Sequence, residues 1–283
     1  MSSAQHISPE LREWMAAQLA QGHSVPALKA SMRAAGWHED VAEAALAEIE
    51  SGVAVAAGAP DPAPERPMPG PDLAQAPLEI EALDRRVQVL QTMRNPRVIV
   101  FGNLLDDEEC DGLIAAAGVR LARSLTVETQ TGGEILNVDR TSEGMFFERG
   151  ENAIVTRLEA RIAALLRWPV EFGEGLQILR YRPGAQYRPH YDYFDPKEPG
   201  TPTILRRGGQ RVATLVMYLQ APAQGGATTF PDVGLEVAPV RGTGVFFSYD
   251  RPDPGTRSLH GGAPVLAGEK WVATKWLRER EFI

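Results

Sequence analysis

The chain has 283 residues, 43% of them hydrophobic and 23% charged, which is typical of globular proteins. It has neither an apolar run that could span a bilayer nor a signal-peptide core, and its net charge of -8 disfavours a general nucleic-acid binder, because phosphate recognition needs concentrated lysine and arginine. The only cysteine, Cys110, excludes an intrachain disulfide, so we expect a cytoplasmic protein whose fold needs no oxidising compartment.

The first predicted elements are three short helices between residues 8 and 50. Ser8 and Pro9 form a helix-start signal. Apolar side chains then recur on one helical face: Leu11, Trp14, Met15 and Leu19. Residues 25–35 and 39–50 are the next two predicted helices. We predict a small helical module over residues 1–50, either docking a partner or substrate protein through residues 8–50, or serving as a solubilising or oligomerising appendage.

Residues 51–77 are dominated by alanine, proline and glycine, with seven prolines and almost no large apolar side chain. Such a composition cannot bury a core and is typical of a semi-extended linker. We therefore predict a second domain over residues 78–283.

The second domain begins with predicted helices. Leu83, Val87 and Leu90 have helical spacing, and further helices are predicted over residues 106–117 and 152–166, with a short strand at 97–101 between them. Beyond Gly175 come short runs rich in valine, leucine and aromatic residues, separated by glycine and proline: 176–182, 212–219, 234–237, 244–249 and 271–277. This pattern predicts an α+β domain whose core, about residues 174–283, is a β-sandwich or barrel supported by the helices.

Three side chains in this core form the donor set of a metal site. His190 and Asp192 are two residues apart, so in an extended segment both point to the same side. Together with His260 they supply the two imidazoles and one carboxylate that hold non-haem Fe(II) and leave positions open for other ligands. The pair alone is a weak signal, but Lys270 follows His260 by ten residues and could face an anionic ligand.

Separate motifs in order along the chain resemble the prolyl 4-hydroxylase family of Fe(II)/2-oxoglutarate dioxygenases, in its microbial and plant-like branch. The motifs are Arg140-Thr141-Ser142, Gly175 to Tyr181, Tyr187 to Phe194, Gly208 to Thr214, Gly225 to Pro231, Leu259 to Gly262, Gly268 to Trp271 and Lys275-Trp276. The resemblance implies a double-stranded β-helix, or jelly-roll, for the core. It does not extend to the N-terminal helices or the linker.

The resemblance also implies roles for individual residues. His190, Asp192 and His260 would bind iron, and Lys270 would pair with the distal carboxylate of 2-oxoglutarate. Two further side chains would hydrogen-bond that carboxylate, namely Tyr181 and Thr228. Three would line the pocket for the target proline, namely Tyr187, Arg211 and Trp276.

The implied reaction is hydroxylation of a prolyl residue in a protein or peptide, using Fe(II), O2 and 2-oxoglutarate and releasing succinate and CO2. A dependence on ascorbate is implied by the family alone. Two alternatives stay open: the same cofactor chemistry on another residue or a small molecule, and a metal-binding interaction protein without turnover. The intact set of ligands with Lys270 weighs against the last.

Two segments near the site are predicted to move. Residues 194–211 form a connection longer than most loops in compact domains and begin beside the metal pair, which predicts a lid over the peptide groove. A second flap is predicted over residues 124–139.

Overall fold

The structure, a computed structural model, describes residues 9–20, 23–50, 67–123, 125–127, 134–136 and 141–283. It divides into two compact units, residues 1–66 and residues 67–283. No helix within the described ranges combines the length and apolar character that a membrane crossing requires. Residues 51–66 of the predicted linker lie outside the described residues.

The first unit contains helices at the three predicted places: α1 (Pro9–Ala20), α2 (Val25–Ala34) and α3 (Glu39–Glu50). They enclose a small core of Met15, Leu28, Met32, Ala42, Ala45 and Leu46. The prediction that Trp14 lies on the buried face is wrong, since its side chain is 44% exposed. Met15 is the fully buried α1 residue of this core, and Leu11 and Leu19 pack against it on the same face.

The described residues of the second unit form three α-helices and many strands. The helices are α4 (Asp107–Gly118), α5 (Ala153–Leu166) and α6 (Thr201–Leu205). The strands are β1 (Glu79–Ala82), β2 (Arg85–Met93), β3 (Arg97–Gly102), β4 (Ala122–Arg123), β5 (Leu125–Val127), β6 (Glu134–Leu136), β7 (Glu143–Phe147), β8 (Leu176–Tyr181), β9 (Tyr187–His190), β10 (Arg211–Gln220), β11 (Gln224–Gly225), β12 (Thr228–Phe230), β13 (Leu235–Val237), β14 (Gly244–Ser248), β15 (His260–Gly262), β16 (Val265–Ala267) and β17 (Lys270–Arg278).

Two antiparallel sheets face each other in this unit. The larger has nine strands in the order β1-β2-β3-β14-β10-β17-β8-β7-β4, and the smaller has four in the order β13-β12-β15-β9. Alternate side chains of the large sheet point to opposite faces. Val272 faces the small sheet, whereas Ala273 faces the helix-covered side. The architecture is the jelly-roll with supporting helices that the resemblance implied.

Helices α4 and α5 cover the outer face of the large sheet, and their ends are fixed by side chains. Asp106 caps α4 and forms a capping box with Glu109, and Asn152 caps α5. Leu113 of α4 and Leu158 of α5 are fully buried in the core between helices and sheet. The large sheet is therefore held rigidly from behind.

The predicted helix containing Leu83, Val87 and Leu90 is wrong. These residues belong to the hairpin of β1 and β2, where Leu83 occupies the turn with a φ of 62°. Leu83 and Leu90 are 67% and 57% exposed, whereas Val87 is buried. Strand β2 forms because it pairs with β3, and the local spacing of apolar residues does not reveal that pairing.

The end of the predicted linker is also part of the second unit. The backbone N of Gly70 donates to the carbonyl of Leu166 at 2.8 Å. Met68 and Leu73 pack against the core beneath α5. The described part of the segment therefore belongs to the folded unit from Pro67 onward, because its backbone and apolar side chains find partners there.

The segment predicted to be a lid is packed against the C-terminal residues. It contains α6, whose Ile204 is buried and whose carbonyl accepts from Arg278 Nη2 at 3.1 Å. Thr201 Oγ1 donates to the carbonyl of Asp195 at 2.6 Å. The bond from Arg278 ties α6 to β17, and closure of this segment over the peptide groove stays a prediction. Of the predicted flap, only β5 and β6 are described; the rest lies outside the described residues.

Candidate active site

Neighbouring strands of the small sheet bring the two histidines together. His190 ends β9 and His260 begins β15, and the two residues face each other in the antiparallel pairing. Gly261 allows this close approach, because a Cβ atom there would lie 2.9 Å from the carbonyl oxygen of Tyr187. Asp192 follows β9 by two residues and is 6% exposed.

The donor atoms of these residues converge on one point. His190 Nε2 lies 3.5 Å from Asp192 Oδ1, and His260 Nε2 lies 3.4 Å from Asp192 Oδ2. All the candidate ligand atoms lie within 4.8 Å of one another. A single ion bound at about 2 Å from each donor fits this spacing. The geometry is that of a two-histidine, one-carboxylate facial triad.

Hydrogen bonds to neighbouring groups orient the three donor side chains. His190 Nδ1 lies 2.9 Å from the carbonyl of Arg188, and His260 Nδ1 lies 3.0 Å from the carbonyl of Ser258. Because a carbonyl only accepts, each Nδ1 carries the proton and each Nε2 keeps a free lone pair. Thr214 Oγ1 donates to Asp192 Oδ2 at 2.7 Å and so fixes the carboxylate.

The protonation states also suit metal binding. Burial by itself raises the pKa of Asp192, but His260 and His190 outweigh it and hold that pKa well below its ordinary value. Burial, and then the nearby His260, lower the pKa of His190. A charged carboxylate and neutral imidazoles are the forms that ligate a cation.

The other end of the same pocket contains a buried cation. Lys270 begins β17 opposite Tyr181 of β8 and is 4% exposed. Its Nζ lies 5.6 Å from the ring centre of Tyr181 and 5.5 Å from that of Tyr218. The described residues place no carboxylate within ion-pair distance of it. Burial alone lowers the pKa of Lys270 to about 8, so the amine is positively charged at neutral pH.

Polar groups beside Lys270 complete an anion site. Thr228 of β12 is 4% exposed and lines the pocket with Tyr181. Tyr218 OH donates to Thr228 Oγ1 at 2.7 Å, which leaves the threonine hydroxyl free to donate its own proton. A carboxylate bound here would meet one cation and hydroxyl donors.

Between the two ends lie Tyr187 and Trp276, both of which line the pocket. The Tyr187 ring stacks on His190 with 3.7 Å between ring centres. Trp276 is 7% exposed, and its buried indole Nε1 has no hydrogen-bond partner among the residues that the structure describes. Burying such a donor without a partner is costly.

Arg211 lies behind this wall and does not line the pocket. Its guanidinium binds Glu174 through two hydrogen bonds of 2.6 and 2.8 Å, and its Cζ lies 4.1 Å from the ring centre of Trp276. The structure thus brings Arg211 to the predicted pocket as a support for Trp276.

Some site residues escaped the sequence analysis. Thr214 orients Asp192, Tyr218 orients Thr228, and Glu174 holds Arg211. Thr214 and Tyr218 share the face of β10 with the pocket-lining Val216, so period-two alternation around the predicted strand would have found them. Glu174 has no such signal, because its partners are distant in sequence.

Comparison with known proteins places this site in a family. Residues 176–278 match the model of the 2OG-Fe(II) oxygenase superfamily. Prolyl 4-hydroxylase 5 of Arabidopsis thaliana is 40% identical over 220 residues, which cover 70% of this chain and 73% of the relative. The chain belongs to the prolyl 4-hydroxylase family of these oxygenases.

Other relatives were found as well. Prolyl 4-hydroxylase 1 of the same plant is 42% identical over 205 residues, covering 66% of this chain and 70% of the relative. The crystal structure of viral collagen prolyl hydroxylase from Paramecium Bursaria Chlorella virus-1, in its 2OG complex, is 31% identical with a TM-score of 0.49, covering 64% of this chain and 95% of that one.

The site fits the cofactors of the prolyl 4-hydroxylase family. The imidazole and carboxylate donors suit Fe(II), and the buried ammonium of Lys270, which has no carboxylate partner among the described residues, suits one carboxylate of 2-oxoglutarate. The protein is therefore an Fe(II)- and 2-oxoglutarate-dependent oxygenase.

Proposed function

We propose that the second unit hydroxylates a prolyl residue of a protein or peptide at the pocket between His190 and Lys270. The observation that carries the proposal is the pairing of a metal triad with an unpaired buried cation in one pocket. That arrangement suits a ligand with a chelating end and an anionic end, as 2-oxoglutarate has. Relatives at about 40% identity are named prolyl 4-hydroxylases, which supports a prolyl target.

The protein's own task is to bind and orient the reactants. Bound iron, 2-oxoglutarate and O2 supply the oxidising chemistry: one oxygen atom enters the substrate C–H bond, and the other enters succinate as CO2 leaves. His190, Asp192 and His260 would hold the iron, and Lys270, Tyr181 and Thr228 would fix the distal carboxylate. Five of these six side chains are buried and His190 is partly exposed, so little water reaches the reacting centre.

The target residue is proposed to lie against Tyr187 and Trp276. Their rings supply a flat apolar surface that suits a pyrrolidine ring. Arg211 supports Trp276 from behind. Arg211 therefore positions Trp276, whereas Tyr187 and Trp276 contact the target residue.

The experiment is mass spectrometry of the host proteome with and without the enzyme. We expect a gain of one oxygen on proline in at least one protein, and its loss when His260 is replaced by alanine. Modification confined to other residues would redirect the proposal to a different acceptor with the same cofactor chemistry. Modification of a small molecule alone would contradict the peptide substrate.

We also propose that the enzyme acts in the cytoplasm. Support comes from Cys110, the only cysteine of the sequence, which is buried and unpaired. Fractionation of host cells that express the tagged chain should place it with cytoplasmic markers. Its recovery in an extracytoplasmic fraction would contradict the proposal.

A further inference from the structure

Lys275 is a buried charge whose role the site does not yet explain. Pocket-lining residues of β17 alternate along the strand, and Lys275 lies between two of them, Thr274 and Trp276. Its side chain therefore points to the opposite, helix-covered face. It is 2% exposed, and its Nζ donates to Glu159 Oε1 of α5 at 2.5 Å.

The same ammonium group donates to the backbone carbonyl of Glu174. From the other side, the backbone N of Glu174 donates to the carbonyl of Trp276 at 3.0 Å. The chain passes tightly over the lysine here, because a Cβ on Gly173 would lie 2.5 Å from Lys275 Cε. Strand β17 therefore fixes Glu174 through both its backbone carbonyl and its backbone N–H.

The side chain of Glu174 connects this backbone segment to the pocket wall. Burial alone would raise the pKa of Glu174, but Arg211 and Arg278 outweigh it and hold the pKa below its ordinary value, so the side chain is a carboxylate. Its two oxygens hold Arg211 in a fork, and Arg211 lies against the Trp276 ring. A displacement of Glu174 therefore moves the support of the pocket wall.

Stability alone gives little reason for the buried pair. Replacing a buried ion pair by neutral side chains of similar volume is often neutral or stabilising, because desolvating two charges is costly. Apolar packing could hold α5 against the sheet equally well. The contribution that only Lys275 makes is its hydrogen bond to the Glu174 carbonyl.

We propose that Lys275, held in place by Glu159, is a positioning residue for the part of the pocket that contacts the target residue. The inference rests on the proposed function, since it assigns that contact to Trp276. It predicts that loss of Lys275 uncouples the two half-reactions: 2-oxoglutarate is still consumed, but less oxygen reaches the substrate.

The test compares Lys275→Met/Glu159→Gln with the wild type. Both changes remove charge together, and the amide oxygen of the introduced glutamine can still accept the bond that Glu159 takes from Gly150 N at 2.9 Å. We expect hydroxylation of a proline-containing peptide to fall about ten- to a hundredfold, since small misplacements near reacting atoms have effects of that order. The KM for 2-oxoglutarate and the peptide-free consumption of 2-oxoglutarate should stay unchanged.

A control and a second variant keep the inference falsifiable. Lys197→Met, at an exposed lysine, is the control and should couple as the wild type does. Glu159→Gln alone removes the anion that holds Lys275, because its single amide oxygen cannot replace both carboxylate oxygens that accept from Gly150 N and Lys275 Nζ, so coupling should fall; wild-type coupling in this variant would overturn the role of Glu159. If the double variant does not fold, Lys275→Gln replaces it. An unchanged ratio of hydroxylated peptide to succinate, or a parallel loss of 2-oxoglutarate turnover, would overturn the role of Lys275.

A substrate-independent measurement separates this inference from the proposed function. Acrylamide quenching of Trp276 fluorescence, taken as the difference with and without Trp276→Phe, should increase when Lys275 is replaced. Unchanged quenching would contradict the inference even if no peptide is hydroxylated. A wild-type enzyme that consumes 2-oxoglutarate but never modifies proline would contradict the proposed function instead.

Discussion

The two ends of the pocket are prepared for their ligands in different ways. At the metal end, Thr214 donates to Asp192 and backbone carbonyls orient His190 and His260, so the protein itself fixes all three donors. At the other end, Lys270 is buried, and the described residues place aromatic rings near its ammonium group but no carboxylate within ion-pair distance. The metal end is organised before ligands bind, whereas Lys270 depends on an anion from outside.

The largest effect should follow from removing a metal ligand. His190→Ala leaves two donors for the iron, and we expect 2-oxoglutarate turnover to fall below detection, measured as succinate release. Asp192→Ala should behave in the same way. His23→Ala, an exposed histidine of the first unit, is the matched control and should keep wild-type turnover. Full activity in either ligand variant would disprove the triad.

Replacing Lys270 should weaken 2-oxoglutarate binding without affecting the metal end of the pocket. Lys270→Met removes the only charge proposed to face the distal carboxylate, and truncating one partner of a buried charge pair costs about 2–5 kcal/mol. We therefore expect the KM for 2-oxoglutarate to rise about 30-fold or more, with Fe(II) affinity unchanged. The ligand-free variant should also melt at a higher temperature, because a desolvated lone charge is gone.

The control for this variant is Lys197→Met, which removes an exposed lysine. It should change neither KM nor melting temperature. An unchanged KM in Lys270→Met would remove Lys270 from 2-oxoglutarate binding, and a lower melting temperature would show that the protein already compensates the charge.

The sequence anticipated the chemistry of both ends better than their surroundings. His190 and Asp192 share a side of an extended segment, and period two alone predicts that. The pairing of His190 with His260, and of Tyr181 with Lys270, depends on sheet register between segments about 70 to 90 residues apart. The family motifs carried that information, and local patterns did not.

The failed helix prediction has the same origin. Leu83, Val87 and Leu90 suit a helix locally, yet pairing with β3 makes β2 a strand. That contact joins separate segments of the chain, and the apolar spacing of one segment does not contain it.

A smaller effect should come from the group that orients Asp192. Thr214→Val removes the hydroxyl that donates to the carboxylate while keeping the shape of the side chain. Losing a group that hydrogen-bonds to a metal ligand typically weakens metal affinity about 10- to 100-fold. We expect Fe(II) affinity to fall by about tenfold and 2-oxoglutarate affinity of the iron-loaded enzyme to be preserved. Thr203→Val, at an exposed threonine, is the control; equal losses in both variants would contradict the assignment.

The smallest effect near neutral pH is a pH dependence at the Lys270 end. Burial lowers the pKa of Lys270 to about 8, and only the protonated amine attracts a carboxylate. The Kd for 2-oxoglutarate should be flat below that pKa and rise by about tenfold per pH unit well above it. Calorimetric titrations of Lys270→Arg, which stays charged, should lack the slope. A wild-type Kd that stays flat to about pH 10 would contradict an unpaired Lys270.

The most direct test of the central claim uses 18O2 with a proline-containing peptide that the enzyme modifies. The account predicts one 18O atom in succinate for each molecule of 2-oxoglutarate consumed, and one added oxygen on proline for each succinate formed. Succinate without label, or labelled succinate with an oxygen added to a residue other than proline, would contradict it.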